Sequence, residues 1–272
     1  MRNPDTDKIF TGAIPKLYDT YLVPLIFEPY AIDLANRLAS RPLSRVLEIA
    51  AGTGVVTRAL SSALPDHVAI VATDLNQAML DRAMTIGTHR PVAWRQADAM
   101  QLPFGDGSFD AVVCQFGVMF FPDKAMAFAE ARRVLRPGGV FIFNVWDRIE
   151  ENEFADTVTS PLASLFPDDA PRFMARTPHG YCDRSIIERD LAAGGFTKLP
   201  NIETLTARSK ADSPEIPAIA YCQGTPLRNE IEARDATRLA EATETAAIAI
   251  ARRFGNGEVD GKIQARIVTI EV

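Results

Sequence analysis

Between residues 45 and 147, short apolar runs alternate with stretches of helical periodicity. The runs lie at Val46–Ile49, Val68–Thr73, Val92–Gln96, Ala111–Gln115 and Val140–Val145, a length suited to strands that are covered on both faces. Between them, Val55–Ala63, Asn76–Thr85 and Lys124–Leu135 space their apolar side chains three and four apart, which predicts helices. The turns Phe104-Gly-Asp-Gly-Ser-Phe109 and Arg136-Pro-Gly-Gly139 precede the last two strands. This strand-helix rhythm predicts an α/β fold with a mostly parallel sheet and helices on both faces.

The flanks read differently. Residues 1–40 look helical and aromatic, with Phe10, Tyr18, Tyr21, Phe27 and Tyr30, and Pro15, Pro24 and Pro29 should break them into short pieces. Residues 148–184 read as an irregular or helical cap. Asp183–Ala193 reads as a helix with an N-cap at Asp183 and a stop at Gly194-Gly195. Asn201–Ala207 and Gln264–Glu271 alternate like strands, and Pro214–Arg253, rich in Ala and Glu, reads as helices. The expected partition is one domain, 1–272, in four parts: an N-terminal cap (1–40), a binding core (41–147), a cap segment (148–184) and a C-terminal part (185–272) with a helical insert at 209–262.

At 272 residues and 47% hydrophobic content, the chain can bury a sizeable core. Its net charge of -6, with no Lys/Arg run, argues against a nucleic-acid partner. Cys114, Cys182 and Cys222 form neither a C-x-x-C motif nor a disulfide framework. The first residues lack the apolar core of a signal peptide, and no segment reaches the ~18–20 apolar residues of a membrane span. The expectation is a cytoplasmic protein with no membrane span. No His/Asp/Glu cluster has metal-ligand spacing, so no metal is expected.

The chemistry concentrates where the first strands end. Glu48 closes the first strand, and Gly52 and Gly54 flank Thr53 just before a helix opens at Val55. Glycines let a backbone come close to a ligand, while an acid beside the loop suits a cation better than a pyrophosphate. Asp74 ends the second strand, twenty residues past Gly54, where a carboxylate can accept from ribose hydroxyls, though it could equally cap the following helix. Asp98-Ala99 follows the third strand and offers a carboxylate and a backbone N–H to an adenine edge. All three acids fall at the carboxyl ends of strands, where open α/β sheets bind ligands. An NAD-dependent oxidoreductase is the rival reading, but its fingerprint needs a third glycine where this chain has Thr57.

Five segments carry a resemblance: Glu48-Ile-Ala-Ala-Gly-Thr-Gly54, Thr73-Asp-Leu-Asn76, Ala97-Asp-Ala99, Leu102-Pro-Phe-Gly-Asp-Gly-Ser-Phe-Asp110 and Leu135-Arg-Pro-Gly-Gly139. In this order and spacing the chain resembles a class I S-adenosylmethionine-dependent methyltransferase, of the small-molecule group that includes the ubiquinone and menaquinone C-methyltransferases. The resemblance covers residues 40–147. It implies a Rossmann-like, seven-stranded sheet whose last strand is antiparallel, and S-adenosylmethionine as cofactor. Ala50, Gly52 and Gly54 would then line the methionine part. Asp74 would hold the ribose, Leu75 and Met79 would pack on the adenine, and Asp98 and Ala99 would meet its edge. Gln115, Phe116 and Gly117 would face the amino-acid end and the methyl. The family usually joins its last two strands by a short turn; the long insert here departs from that, and either a homodimer contact or substrate capture would account for it.

Methyl transfer from a sulfonium needs alignment and exclusion of water more than it needs a base. His67 and His89 precede strands, at the edge opposite the expected cofactor. His179, in the cap, is the one plausible base, against the plainer reading of a surface-loop histidine. The rings of Tyr18 and Tyr21 could contact the sulfonium, or simply pack an amphipathic helix. Phe10, Tyr18, Phe27, Phe120, Phe121, Trp146 and Tyr181 would wall a site for an apolar or aromatic small molecule. A domain that binds S-adenosylmethionine without transferring methyl is a further alternative.

Overall fold

A computed structural model describes Asp7, Phe10 and residues 12–272. The earliest part of the helical segment expected over 1–40, at residues 1–6, 8, 9 and 11, lies outside the described residues. The strands are β1 (Arg45–Glu48), β2 (Ala69–Asp74), β3 (Ala93–Gln96), β4 (Phe109–Gln115), β5 (Leu135–Trp146), β6 (Asn201–Ala211) and β7 (Val259–Glu271). The α-helices are α1 (Ile14–Leu17), α2 (Glu28–Ala39), α3 (Val55–Ala63), α4 (Gln77–Ile86), α5 (Lys124–Val134), α6 (Glu153–Leu165), α7 (Phe173–Arg176), α8 (Arg184–Ala193), α9 (Glu215–Gly224), α10 (Leu227–Asp235) and α11 (Leu239–Phe254). Among the described residues the strands form a seven-stranded sheet of order β3-β2-β1-β4-β5-β7-β6. β1 pairs in parallel with β2 and β4, β3 with β2, and β5 with β4; β7 runs antiparallel to β5. The expected Rossmann-like sheet, with its last strand antiparallel, is what forms.

The chain folds as two compact units. The sheet unit comprises Glu28–Trp146, Tyr181–Leu205 and Ala265–Val272. Its central strands β1 and β4 are buried almost throughout, which explains their unbroken apolar runs. Edge strand β3 is mostly exposed and correspondingly polar. Asp123 and Asp183 cap α5 and α8 by accepting backbone N–H bonds, as Asp183 was expected to do.

The two most specific sequence signatures meet in this unit. Asp110 accepts from the backbone N–H groups of Ser44 (2.5 Å) and Arg45 (2.7 Å), and its other oxygen pairs with Arg136. A Cβ on Gly139 would lie 2.8 Å from the Arg136 carbonyl oxygen and 3.0 Å from that of Asp110. Ser-Phe-Asp and Leu-Arg-Pro-Gly-Gly therefore form one fastening at the amino ends of β1 and β4, the edge away from the carboxyl-end loops. Residues 136–139, expected as a turn, belong to β5. Leu135 already pairs with Phe109, and a register shift after Phe109 takes up the irregularity.

The helical unit comprises Met1–Phe27, Asp147–Gly180 and Thr206–Gln264. It draws together the N-terminal segment, the cap and the insert, three stretches remote in sequence. Phe154 on α6 is fully buried, meets Phe254 edge-on at 5.0 Å, and covers Gly261, where a Cβ would stand 3.1 Å from the ring. Asp7 receives two bonds from Arg176 (2.7 and 2.8 Å), and the same guanidinium pairs with Glu230 at 2.8 Å. Residues 18–27 form a π-helical stretch that contains Pro24, so the expected break at this proline becomes a widened turn instead. Among the described residues, no helix is long and apolar enough to cross a membrane.

Candidate active site

Glu48 and Asp74 end neighbouring parallel strands, and the Ala50–Gly54 loop runs past them. Asp74 is 7% exposed. Its Oδ2 accepts from the Gly52 N–H (2.8 Å) and its Oδ1 from the Asn76 N–H (2.8 Å). The helix-cap reading of Asp74 is thus corrected: Asn76 is the N-cap residue of α4, and Asp74 instead forms an Asx turn and clips the loop. The Gly52 N–H is committed to this clip. Burial raises the Asp74 pKa above the usual carboxylate value, opposed by the backbone donors.

Glu48 is 2% exposed, and burial pushes its pKa up to about 8. Thr57 donates to its Oε2 at 2.5 Å. The residue standing where a nicotinamide fingerprint has its third glycine is therefore the hydrogen-bond partner of the loop's acid. Thr53, between the two glycines, is 1% exposed, and its Oγ1 has no partner among the described residues. An orphaned buried hydroxyl in such a loop is a polar atom available to a ligand.

Backbone strain marks the same edge. Among the described residues, Ala50 (φ 54°) and Phe116 (φ 49°) are the non-glycine residues with left-handed backbone. Such conformations cost of order 1–3 kcal/mol each and persist where surrounding structure enforces them. Phe116 is enforced on two sides: its N–H donates to Asn144 Oδ1 at 2.8 Å, and its ring stacks on Trp146 at 3.7 Å and 5°. Gly117 is required by crowding, since a Cβ there would lie 2.5 Å from Ala50 Cβ and 2.8 Å from Cys114 Sγ. The loops after β1 and β4 thus come together at Ala50 and Gly117, where a side chain at 117 would not fit. Gly54, at φ 81°, is likewise boxed in, by Trp94 at 3.0 Å and Ala83 at 3.2 Å, so its demand comes from helix-strand packing.

The remaining candidates fall into place one by one. Leu75, expected on the adenine, is 47% exposed beside Asp74, whereas Met79 is 3% exposed and can offer only an edge. Asp98 accepts from the Met100 N–H at 2.9 Å, and Ala99 is buried beside it. Gln115 is half-buried at the end of β4. Trp146, expected in a substrate wall, packs edge-on against Tyr30 at 5.3 Å and belongs to the core. Cys114 is fully buried, which pushes its thiol up to about 12, in keeping with a small hydrophobe.

Tyr18, Tyr21 and His179 belong to the helical unit. Tyr18 stacks on Phe27 at 5.0 Å, and Tyr21 is half-buried. His179 is no surface-loop residue: it is 7% exposed and its Nδ1 lies 2.8 Å from the Asp147 carbonyl oxygen, a bond it donates as the Nδ1–H tautomer. Burial lowers its pKa to about 4, so it is neutral at pH 7 and a weak base. His67 and His89 are exposed. Sequence reading missed Thr53, Thr57 and Asn144. Asn144 had a signal of its own, as a lone amide in the apolar run Val140–Val145.

The fold is Rossmann-like, and the carboxyl ends of β1, β2 and β4 carry its buried acids and its left-handed loop residues. Residues 47–143 match the family model of the methyltransferase domain. The ubiquinone/menaquinone biosynthesis C-methyltransferase UbiE of Ectopseudomonas mendocina is 33% identical over 187 residues, which are 64% of this chain and 72% of that protein. The enzyme of the same name from Teredinibacter turnerae is 29% identical over 186 residues, covering 64% of this chain and 74% of that one. Among solved structures, the YcgJ protein from Bacillus subtilis superimposes with a TM-score of 0.55 at 19% identity, covering 89% of this chain and 98% of that chain. The chain belongs to the S-adenosylmethionine-dependent methyltransferases, and S-adenosylmethionine is its cofactor.

Proposed function

We propose that S-adenosylmethionine is held along the carboxyl ends of β1, β2 and β4, and that the methyl acceptor is a small apolar molecule of aromatic character. The observation that carries the site is the pair of buried acids, Glu48 and Asp74, which end neighbouring strands beside the Ala50–Gly54 loop, whose Thr53 hydroxyl has no partner among the described residues. Each Asp74 oxygen accepts one backbone bond and keeps lone-pair capacity for a ribose hydroxyl. Leu75 presents the apolar surface an adenine ring needs, with Asp98 and Ala99 at its edge. Ala50, Gly52, Gly54, Gln115, Phe116 and Gly117 take the methionine end, and Glu48, once ionised, supplies negative charge to a cationic ligand. When bound, the cofactor supplies an electrophilic methyl; the chain's part is to align the acceptor and keep water out.

The acceptor class rests on the names of the relatives, which methylate at carbon in ubiquinone and menaquinone biosynthesis, and on half-buried Phe120 and Phe121 after β4. The composition supports a cytoplasmic setting. His179 and Tyr18 stand as the groups to test on the acceptor side. Labelled S-adenosylmethionine should be offered with phenolic and quinol acceptors, and in parallel with tRNA and protein. Label on a small aromatic acceptor, lost in Asp74→Ala, is the expected result. Label on RNA or protein alone overturns the acceptor class. If His179 acts as a base, His179→Ala removes a pH limb near its lowered pKa; a uniform loss across pH marks it as a positioning residue.

A further inference from the structure

The segment after β4 is clamped from its far side by a lysine that no part of the cofactor reading uses. Gly117 opens a 3₁₀ turn at Val118–Phe120, and this turn ends at Phe121. Lys124, at the first position of α5, reaches back. Its Nζ donates to the Phe121 carbonyl oxygen at 3.0 Å and the Met119 carbonyl oxygen at 3.4 Å. The ammonium lies 4.8 Å from the centre of the Tyr181 ring. Tyr181 is itself fixed, its hydroxyl donating to Asp190 Oδ2 on α8 at 3.0 Å. The other end of the segment is held by Asn144 on β5 at Phe116.

We infer that Lys124, backed by Tyr181 and Asp190, is a positioning residue that sets the Phe116–Phe121 segment against Ala50 and so shapes the cofactor's methyl end. The inference rests on the reading that Gln115, Phe116 and Gly117 meet the cofactor. A cation that caps two carbonyls and stacks on a ring has one geometry, and this geometry fixes the turn. Gly117 has no slack against Ala50, so a shift of the turn is transmitted directly to the strained Phe116. An arginine can still reach the carbonyls and stack on Tyr181; a methionine of similar length can do neither.

The test uses S-adenosylhomocysteine binding by calorimetry, with the emission of Trp146, stacked on Phe116, as a local probe in a Trp94→Phe background. Lys124→Met is expected to bind roughly tenfold more weakly, equivalent to about 1.4 kcal/mol, with a red-shifted and more quenchable Trp146 emission. Lys124→Arg should recover both. Tyr181→Phe, which keeps the ring but loses the Asp190 bond, should weaken binding by about twofold to threefold. Gln115→Ala tests the underlying reading. If Gln115→Ala weakens binding while Lys124→Met binds within twofold of the parent with unchanged emission, the clamp is refuted. If Gln115→Ala also leaves binding unchanged, the segment does not meet the cofactor and both fall.

Discussion

Glu48 and Asp74 are buried acids that hold Thr57 and the Gly52 N–H, and this structural task separates experimentally from the ligand-binding task proposed for them. In the native chain Glu48 holds its proton up to about pH 8; in the unfolded chain it ionises near 4.5. Its contribution to stability is therefore fully present below about pH 4.5 and is lost as pH rises to about 8. Glu48→Gln keeps an acceptor for Thr57 and removes this dependence, so thermal melts should show the variant more stable than the parent at pH 8 and little different at pH 4.5. The same ionisation favours a cationic ligand. S-adenosylmethionine affinity should rise between pH 6 and 8.5 in the parent, with proton release on binding, and stay flat in Glu48→Gln. A parallel rise in both proteins would remove Glu48 from the cofactor site. At this scale the sequence was informative where a residue type was costly for its place. Glu48, Asp74 and the glycines stood out against apolar surroundings. The left-handed backbone of Ala50 and Phe116 left no trace, because neither residue type announces a positive φ.

Individual elements were legible to the extent that one periodicity governed them. The central strands and α3, α4, α5 and α8 emerged within a few residues because burial on both faces, or on one face, left an unmixed pattern. β5 started earlier than expected because Pro137-Gly138-Gly139 has turn composition while its neighbours Leu135 and Asp110 hold it in the sheet. β6 and β7 run longer than expected, to Ala211 and from Val259, since alternation fades where both faces become partly exposed. The Asp110 fastening makes a prediction at this scale. Asp110→Ala removes the acceptor of two part-buried backbone donors and the partner of Arg136, and should cost about 1–3 kcal/mol in denaturant unfolding. S-adenosylhomocysteine affinity of the folded fraction should hold within about twofold, because the fastening sits at the opposite end of the strands. Gly117→Ala should do the converse, weakening binding at least tenfold through the 2.5 Å approach to Ala50 while costing about 1–3 kcal/mol in overpacking.

At the scale of the whole molecule, the grouping of residues 12–27, the cap and the long insert into one helical unit was not legible. Each segment reads as an amphipathic helix seeking a partner, and sequence pattern does not say which partner it finds. The unit has its own core, so Phe154→Ala should destabilise it by about 3–5 kcal/mol, read as earlier loss of hydrogen-exchange protection in α6, α9 and α11 than in the parent. The family assignment belongs to the sheet unit, which contains the matched residues 47–143. The most direct test is calorimetric titration of the parent and of Asp74→Ala with S-adenosylhomocysteine and with NAD. Micromolar binding of S-adenosylhomocysteine by the parent, weakened at least tenfold in Asp74→Ala and with no NAD binding by either, is the predicted result. S-adenosylhomocysteine binding that survives Asp74→Ala unchanged, or binding of NAD by the parent, would contradict the account of this edge.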